Sequence, residues 1–223
     1  MSTDEIYERY LKKAITEINE LGAEISQAAG ERHFPVVGSG HPLGDIMLLK
    51  YGPQAAEAQE GVSFYGRAGQ AIIKSLQRLN VDPLAVYGTN CLKFAAQEPE
   101  QARSMLIREV HIVHPKLIVA MGEDTLRFLN ELDFPLSDPV EPRLGELQRF
   151  TPTIDALAFL NDLAFPLAQP VEPTPGDLQR YTPTIEALVV PDIDASLDET
   201  PAKTAFWNAF KTLGSWWAEL PPY

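Results

Sequence analysis

The chain is poor in cysteine, in histidine and in positive charge. Its 223 residues hold one cysteine, Cys91. A single thiol excludes an internal disulfide framework, and an iron–sulfur cluster takes four cysteine ligands, so no cluster is expected. Four histidines are present and none follows His114. The carboxyl-terminal part therefore has no imidazole to serve as acid, base or metal ligand. Basic residues number 18 against 31 acidic ones, a net charge of -13. Phosphate backbones are gripped by Lys and Arg, so the overall balance cuts against a broad nucleic-acid footprint. No apolar run reaches membrane length, and no secretory leader pattern is visible. A soluble, cytoplasmic protein with no membrane contact is expected.

What the chain does have is core material, at 45% hydrophobic residues. The length suits one domain over residues 1–223. The negative charge is unevenly spread. Residues 131–198 hold 13 acidic and 3 basic side chains, and the rest of the chain holds 18 and 15. That acidic segment reads first as solvated surface, and it is also where a protein partner would dock.

Periodicity predicts the order of elements. Residues 4–28 read as a helix, with Ile6, Tyr10, Leu11, Ile15, Ile18 and Leu21 at three- and four-residue steps. Asp45 to Leu49, Leu84 to Thr89 and Leu117 to Met121 are short apolar runs of the kind found in buried parallel strands. Helices are expected over Gln70–Leu79, from Glu98-Pro99 onward with Met105, Leu106, Val110 and Ile112 on the apolar face, and from Gly122 to about Leu132. A closing helix over 201–218 carries an aromatic stripe of Phe206, Phe210 and Trp217, which reads as core before it reads as a base-stacking surface. His111 and His114, three apart and without nearby carboxylates, fit helix-end packing better than metal binding, and no metal site is expected. His41 fits a surface loop, with the mouth of a pocket as the other reading.

Phe128–Leu157 and Phe159–Leu188 match at 21 of 30 positions with a 31-residue period. Two copies are too few for a solenoid, so 128–188 reads as a tandem duplication inserted before the last strand. The β-branched Val189-Val190 ending marks the second copy as the source of that strand. Phe134, Leu136, Leu147 and Ile154 of the first copy are expected to pack on the second copy or on another chain.

The stretch Gly44 to Gly69 organises the rest: strand, long loop, then helix. In an open α/β sheet such loops at strand carboxyl ends line the ligand crevice. Ser63-Phe64-Tyr65-Gly66-Arg67-Ala68-Gly69-Gln70, Tyr87-Gly88-Thr89-Asn90 with Lys93, and Pro115 to Gly122 carry a resemblance. They are similar to the uracil-DNA glycosylase superfamily, most closely its family 4. The resemblance covers most of residues 36–130. It implies a three-layer α/β/α sandwich around a four-stranded, mainly parallel sheet. It also implies uracil-containing DNA as partner and N-glycosidic hydrolysis as chemistry.

Carried over residue by residue, the resemblance puts a base-stacking ring at Phe64 and a base-reading amide at Asn90. An Asn offers one donor and one acceptor face to a pyrimidine edge. The family's water-activating acid falls on Tyr51, which becomes a base-contacting candidate, because a phenol with a pKa near about 10 is a poor base at neutral pH. Glu57, in the following loop, is a substitute carboxylate. The family's His-Pro-Ser is absent; Asp192 and Asp194 stand in the corresponding loop and are the other catalytic candidates. Family 4 also carries iron–sulfur cysteines that do not match here: Phe94 stands at one ligand position and Cys91 matches none. Two readings follow: a divergent glycosylase acting on uracil or another damaged base, or an inactive base-binding or protein-interaction module.

Overall fold

The computed structural model describes residues 3–134, 137–151 and 185–220. Six strands form one mixed sheet in the order β1-β3-β2-β4-β6-β5. Four are the expected parallel ones: β2 (Ile46–Lys50), β3 (Val86–Asn90), β4 (Leu117–Met121) and β6 (Glu186–Val190). Two short antiparallel strands, β1 (Ser39–Gly40) and β5 (Leu147–Arg149), flank them, so the sheet is wider than the four strands expected. The parallel register is even. Lys50 pairs with both Asn90 and Met121, and Met121 pairs with Val190. All four strands therefore end at one level, and the loops that follow them share one rim.

Helices cover both faces. On one face α4 (Pro99–Val113) and α5 (Glu123–Asn130) pack Leu106, Val110 and Leu129 against Met47, Leu49, Ile118 and Ala120. On the other, α3 (Arg67–Arg78), the single turn α6 (Ile193–Ser196) and α7 (Thr200–Glu219) pack Ile72, Leu76, Ile193, Phe206, Phe210 and Leu213 against Ile46, Leu48, Val119 and Leu188. The parallel strands are almost wholly buried because both faces are covered, which is why they read as continuous apolar runs. The aromatic stripe of α7 is core, as the helical spacing suggested. Trp216 is buried as well and donates its indole N–H to Glu186.

The amino-terminal helix α1 (Thr3–Ala29) forms where expected but buries a different stripe. Ala14, Leu21, Ile25 and Ala29 are buried, whereas Ile6, Tyr10 and Ile15 stay exposed. Its carboxyl half packs against α4 and the loop after β3, and its first turns have less to lie against. The duplicated region enters the sheet twice. Leu147-Gln148-Arg149 of the first copy runs antiparallel to Glu186–Leu188 of the second. Phe134 of the first copy packs between His111 and Phe150. Leu147 is 38% exposed. Leu136, Ile154 and most of the second copy lie outside the described residues.

Among the described residues no helix is long and apolar enough to cross a membrane.

Candidate functional site

Side chains alternate across a strand, and this alternation decides what meets at the rim. Val86, Gly88 and Asn90 of β3 face the α3/α7 side, as do Ile46, Leu48 and Lys50 of β2. Asn90 and Lys50 are register partners at the last position of each strand. The loop from Tyr51 to Gly66, containing the short helix α2 (Ala55–Glu60), folds back over them and delivers Phe64.

Phe64 lies on Gly88. A β-carbon on Gly88 would come 2.7 Å from Cδ2 of the Phe64 ring, so only glycine leaves the ring its seat. Gly69 serves the same residue from the helix side, where a β-carbon would sit 1.9 Å from the Phe64 carbonyl oxygen. Phe64 itself holds a φ of 59°, a left-handed conformation uncommon for a bulky residue. Its backbone N–H donates to Oε1 of Glu57, which helps hold it there. Gly69 and Gly88, one from each of the two motif stretches, thus share one local task, the placement of Phe64.

Asn90 is fully buried. Its Nδ2 donates to Ser63 Oγ at 3.1 Å, and its Oδ1 has no hydrogen-bond partner in the structure. An unmet buried acceptor costs about 1–3 kcal/mol, a standing penalty that a ligand N–H would relieve.

Lys50 is the largest surprise at the rim. Its ammonium is buried and donates to Glu57 Oε2 at 2.8 Å and to Asp194 Oδ2 at 2.7 Å. It also lies 5.3 Å from the centroid of the Phe64 ring. Glu57 is fully buried, and both its oxygens are engaged: Oε2 accepts from Lys50 and from the Gln54 N–H at 2.7 Å, and Oε1 from Phe64. It fixes the loop and the cation. The Asp194 side chain keeps 21% of its surface exposed. Among the described residues of the acidic 131–198 segment, Asp194 therefore enters a mostly buried contact instead of staying in solvent.

Of the residues singled out from sequence, the structure brings Phe64, Glu57 and Asp194 together around Lys50, with Asn90 at the next strand end. It does not bring Tyr51 or Asp192 into that group. Tyr51 follows Lys50 and so turns to the opposite face, edge-on to Phe128 at 6.3 Å between ring centroids, with its side chain partly exposed. Asp192 caps α6, accepting the Ala195 N–H at 2.8 Å. His41 lies at the other end of the sheet from Asn90: its backbone N–H donates to the carbonyl of Val86, the first residue of β3, and its ring meets the Tyr7 hydroxyl at 3.2 Å. The surface-loop reading of His41 holds, and the pocket-mouth reading does not. His111 stacks on Phe134, as helix-end packing suggested. Sequence reasoning gave Lys50 no role, and it gave Ser63 none beyond its place in the motif. A signal was there: a lysine closing an apolar strand run must find an acid, and Glu57 is seven residues on.

Cys91 is buried in the core on the α4/α5 side, and burial pushes its thiol up, away from the thiolate a metal would need. One buried, protonated thiol does not fit the four-thiolate requirement of an iron–sulfur cluster.

A family model described as the uracil DNA glycosylase superfamily matches residues 37–181, more than half of the chain. Three curated relatives are named type-4 uracil-DNA glycosylase. That of Pyrobaculum aerophilum is 31% identical over 105 residues, covering 44% of this chain and 54% of the relative. That of Archaeoglobus fulgidus is 26% identical over 126 residues, covering 52% and 63%. That of Sulfurisphaera tokodaii is 28% identical over 103 residues, covering 42% and 47%. The chain thus spans roughly half to just under two thirds of the length of the relatives it matches.

Proposed function

The chain belongs to the uracil DNA glycosylase superfamily, and from that premise we propose that it binds a base flipped out of DNA and hydrolyses its N-glycosidic bond. The observation that carries this reading is the unmet Oδ1 of Asn90, buried at a strand end beside the Phe64 seat. A buried acceptor selects a base that presents a ring N–H. Uracil does so at N3, where cytosine presents a lone pair, so the amide discriminates the deaminated base from its parent. A site built around a buried polar group rejects partners that leave it unpaired. Phe64 supplies the stacking face, which is sequence-tolerant and holds the extruded base.

In this reading Asp194 is the carboxylate that orients water. Glu57 is fully buried with both oxygens engaged in holding the loop, and Asp192 caps α6. Asp194 is anchored through Oδ2 alone to Lys50 and keeps access to solvent. In the reaction water adds its oxygen to C1′, the C1′–N bond breaks with its electron pair retained by the base, and the water proton passes to Asp194.

A second reading, a base-binding module without hydrolysis, draws on one observation: the cluster's two carboxylates are both tied to the same ammonium. Single-turnover cleavage of uracil-containing single- and double-stranded oligonucleotides at low salt separates the two. Asn90→Ala and Asp194→Asn proteins run beside the parent. Cleavage by the parent that both substitutions reduce about 100-fold or more supports hydrolysis. Binding of the oligonucleotides without cleavage supports the module. Neither cleavage nor binding retires both.

A further inference from the structure

We propose that Lys50 is a catalytic residue that takes up the negative charge of the departing base. This rests on the excision reading above and adds a role to it. When the glycosidic bond breaks, the base keeps the bonding pair and leaves as an anion. Its charge spreads over the ring nitrogen and the flanking carbonyl oxygens. Beside Phe64 and the buried strand ends that charge would have little water to meet it, and a fixed positive group there is worth far more than in solution. Lys50 is the cation the structure sets over the Phe64 ring, 5.3 Å from its centroid and at the strand position paired with Asn90. A base stacked on Phe64 and read by Asn90 lies within reach of this ammonium.

The ammonium is also prepared for the task. It has three N–H bonds. Glu57 Oε2 at 2.8 Å and Asp194 Oδ2 at 2.7 Å take two of them. The third is the one offered to a carbonyl oxygen of the base. Burial and the two carboxylates fix Nζ in place before the reaction, so little reorganisation is needed as charge develops. The attraction is weak for a neutral bound base and grows as the bond lengthens, so it acts on the chemical step more than on binding. Atoms balance without a further reactant: the hydroxyl of water ends on C1′, and its proton, taken first by Asp194, returns through solvent to the base nitrogen. The chain's histidines are engaged elsewhere: His33 on Phe94, His41 with Tyr7 and His111 on Phe134, while His114 ends α4.

The test uses leaving-group strength. Parent and Lys50→Met proteins are compared in single-turnover cleavage of matched oligonucleotides carrying either uracil or 5-fluorouracil, whose fluorine stabilises the departing anion. The expected result is a loss of about 100- to 1,000-fold on uracil and a loss at least about tenfold smaller on 5-fluorouracil. Lys50→Arg, which keeps the charge, is expected to stay closer to the parent on both. Equal losses on both bases in a folded protein would mean that Lys50 only supports the structure, and would overturn the proposal while leaving the excision reading intact. A parent protein that cleaves neither base overturns both together. Removing one buried charge risks the fold, so Lys50→Met is also made with Glu57→Gln, which removes the orphaned carboxylate charge and keeps an acceptor for the loop. The ratio of the two rates in that double variant reads the same contrast.

Discussion

The protein holds two buried lysines on neighbouring chain segments, and they are built to opposite specifications. Lys93 lies just beyond β3 and donates to Glu109, to Thr89 Oγ1 at 2.6 Å and to the Asn90 carbonyl at 2.7 Å. Glu109 accepts in addition from Tyr87 at 2.6 Å and from Thr89. Burial, with the Glu109 charge adding to it, pushes the Tyr87 phenol far up, so it stays a neutral donor. This network has a partner for every N–H of the ammonium, and it sits within the α4/α5 layer. The Lys50 cluster has a partly exposed acid, an aromatic face and an unmet amide oxygen beside it. A satisfied polar network rigidifies a fold, whereas an incomplete one is costly unless something else completes it. The first cluster has the make-up of scaffold, and the second is the one on which the proposed function rests.

The sharpest way to break this comparison is Glu109→Ala. It strands Lys93 in the core and is expected to cost about 3–5 kcal/mol, read by denaturant unfolding. At temperatures where the variant remains folded, cleavage should match the parent. Loss of cleavage in the folded variant would make the Lys93 cluster part of the site. Next in size is Gly88→Ala. The added methyl meets the Phe64 ring, at a cost of about 1–3 kcal/mol, and uracil-oligonucleotide binding should fall with it. An unchanged affinity would remove Phe64 from the pocket.

Smaller in stability but telling in chemistry is the pair Asp192→Ala and Asp194→Asn. The first loses a helix cap, about 1 kcal/mol, with cleavage kept. The second keeps most of the stability and loses cleavage. Reversed outcomes would exchange the two roles. The smallest effect concerns His114, which ends α4 at a φ of 52°. Burial, and then the charges of His111 and Lys13, lower its pKa from 6.5, with Glu17 opposing. The folded protein therefore binds this proton less readily than the unfolded chain, and stability falls as pH drops below about 6.5 towards the lowered value. His114→Asn suits the left-handed position and should flatten that slope in thermal melts between pH 7.5 and pH 5 without altering cleavage.

The strands and most helices were legible because burial on both faces writes itself as unbroken apolar runs. Leu117–Met121 is the plainest case, matched to the residue. The two edge strands were not legible, since β1 is Ser39-Gly40 and β5 is Leu147-Gln148-Arg149, too short and too polar to show any period. Motif spacing singled out Phe64 and Asn90, and the fold sets them on adjoining positions around Gly88 and the end of β3. Tyr51 lies apart from that group, beside Phe128, because motif matching fixes a position along the chain but not the face, and one step beyond Lys50 reverses the face. Lys50 was missed because a charged residue inside a strand is explained only by its partners, and Asp194 is 144 positions away.

The two short edge strands have a consequence for how copies of this protein behave towards one another. A parallel sheet of four strands would leave two open rows of backbone N–H and C=O groups. Here β1 covers one row with two residues, and β5, from the duplicated region, covers the other with three. Strands that short offer a passing chain almost no ladder to extend. Among the described residues, the first copy of the duplication thus puts a short, polar strand on that side of the apolar sheet, a kind of edge that resists pairing with a second molecule.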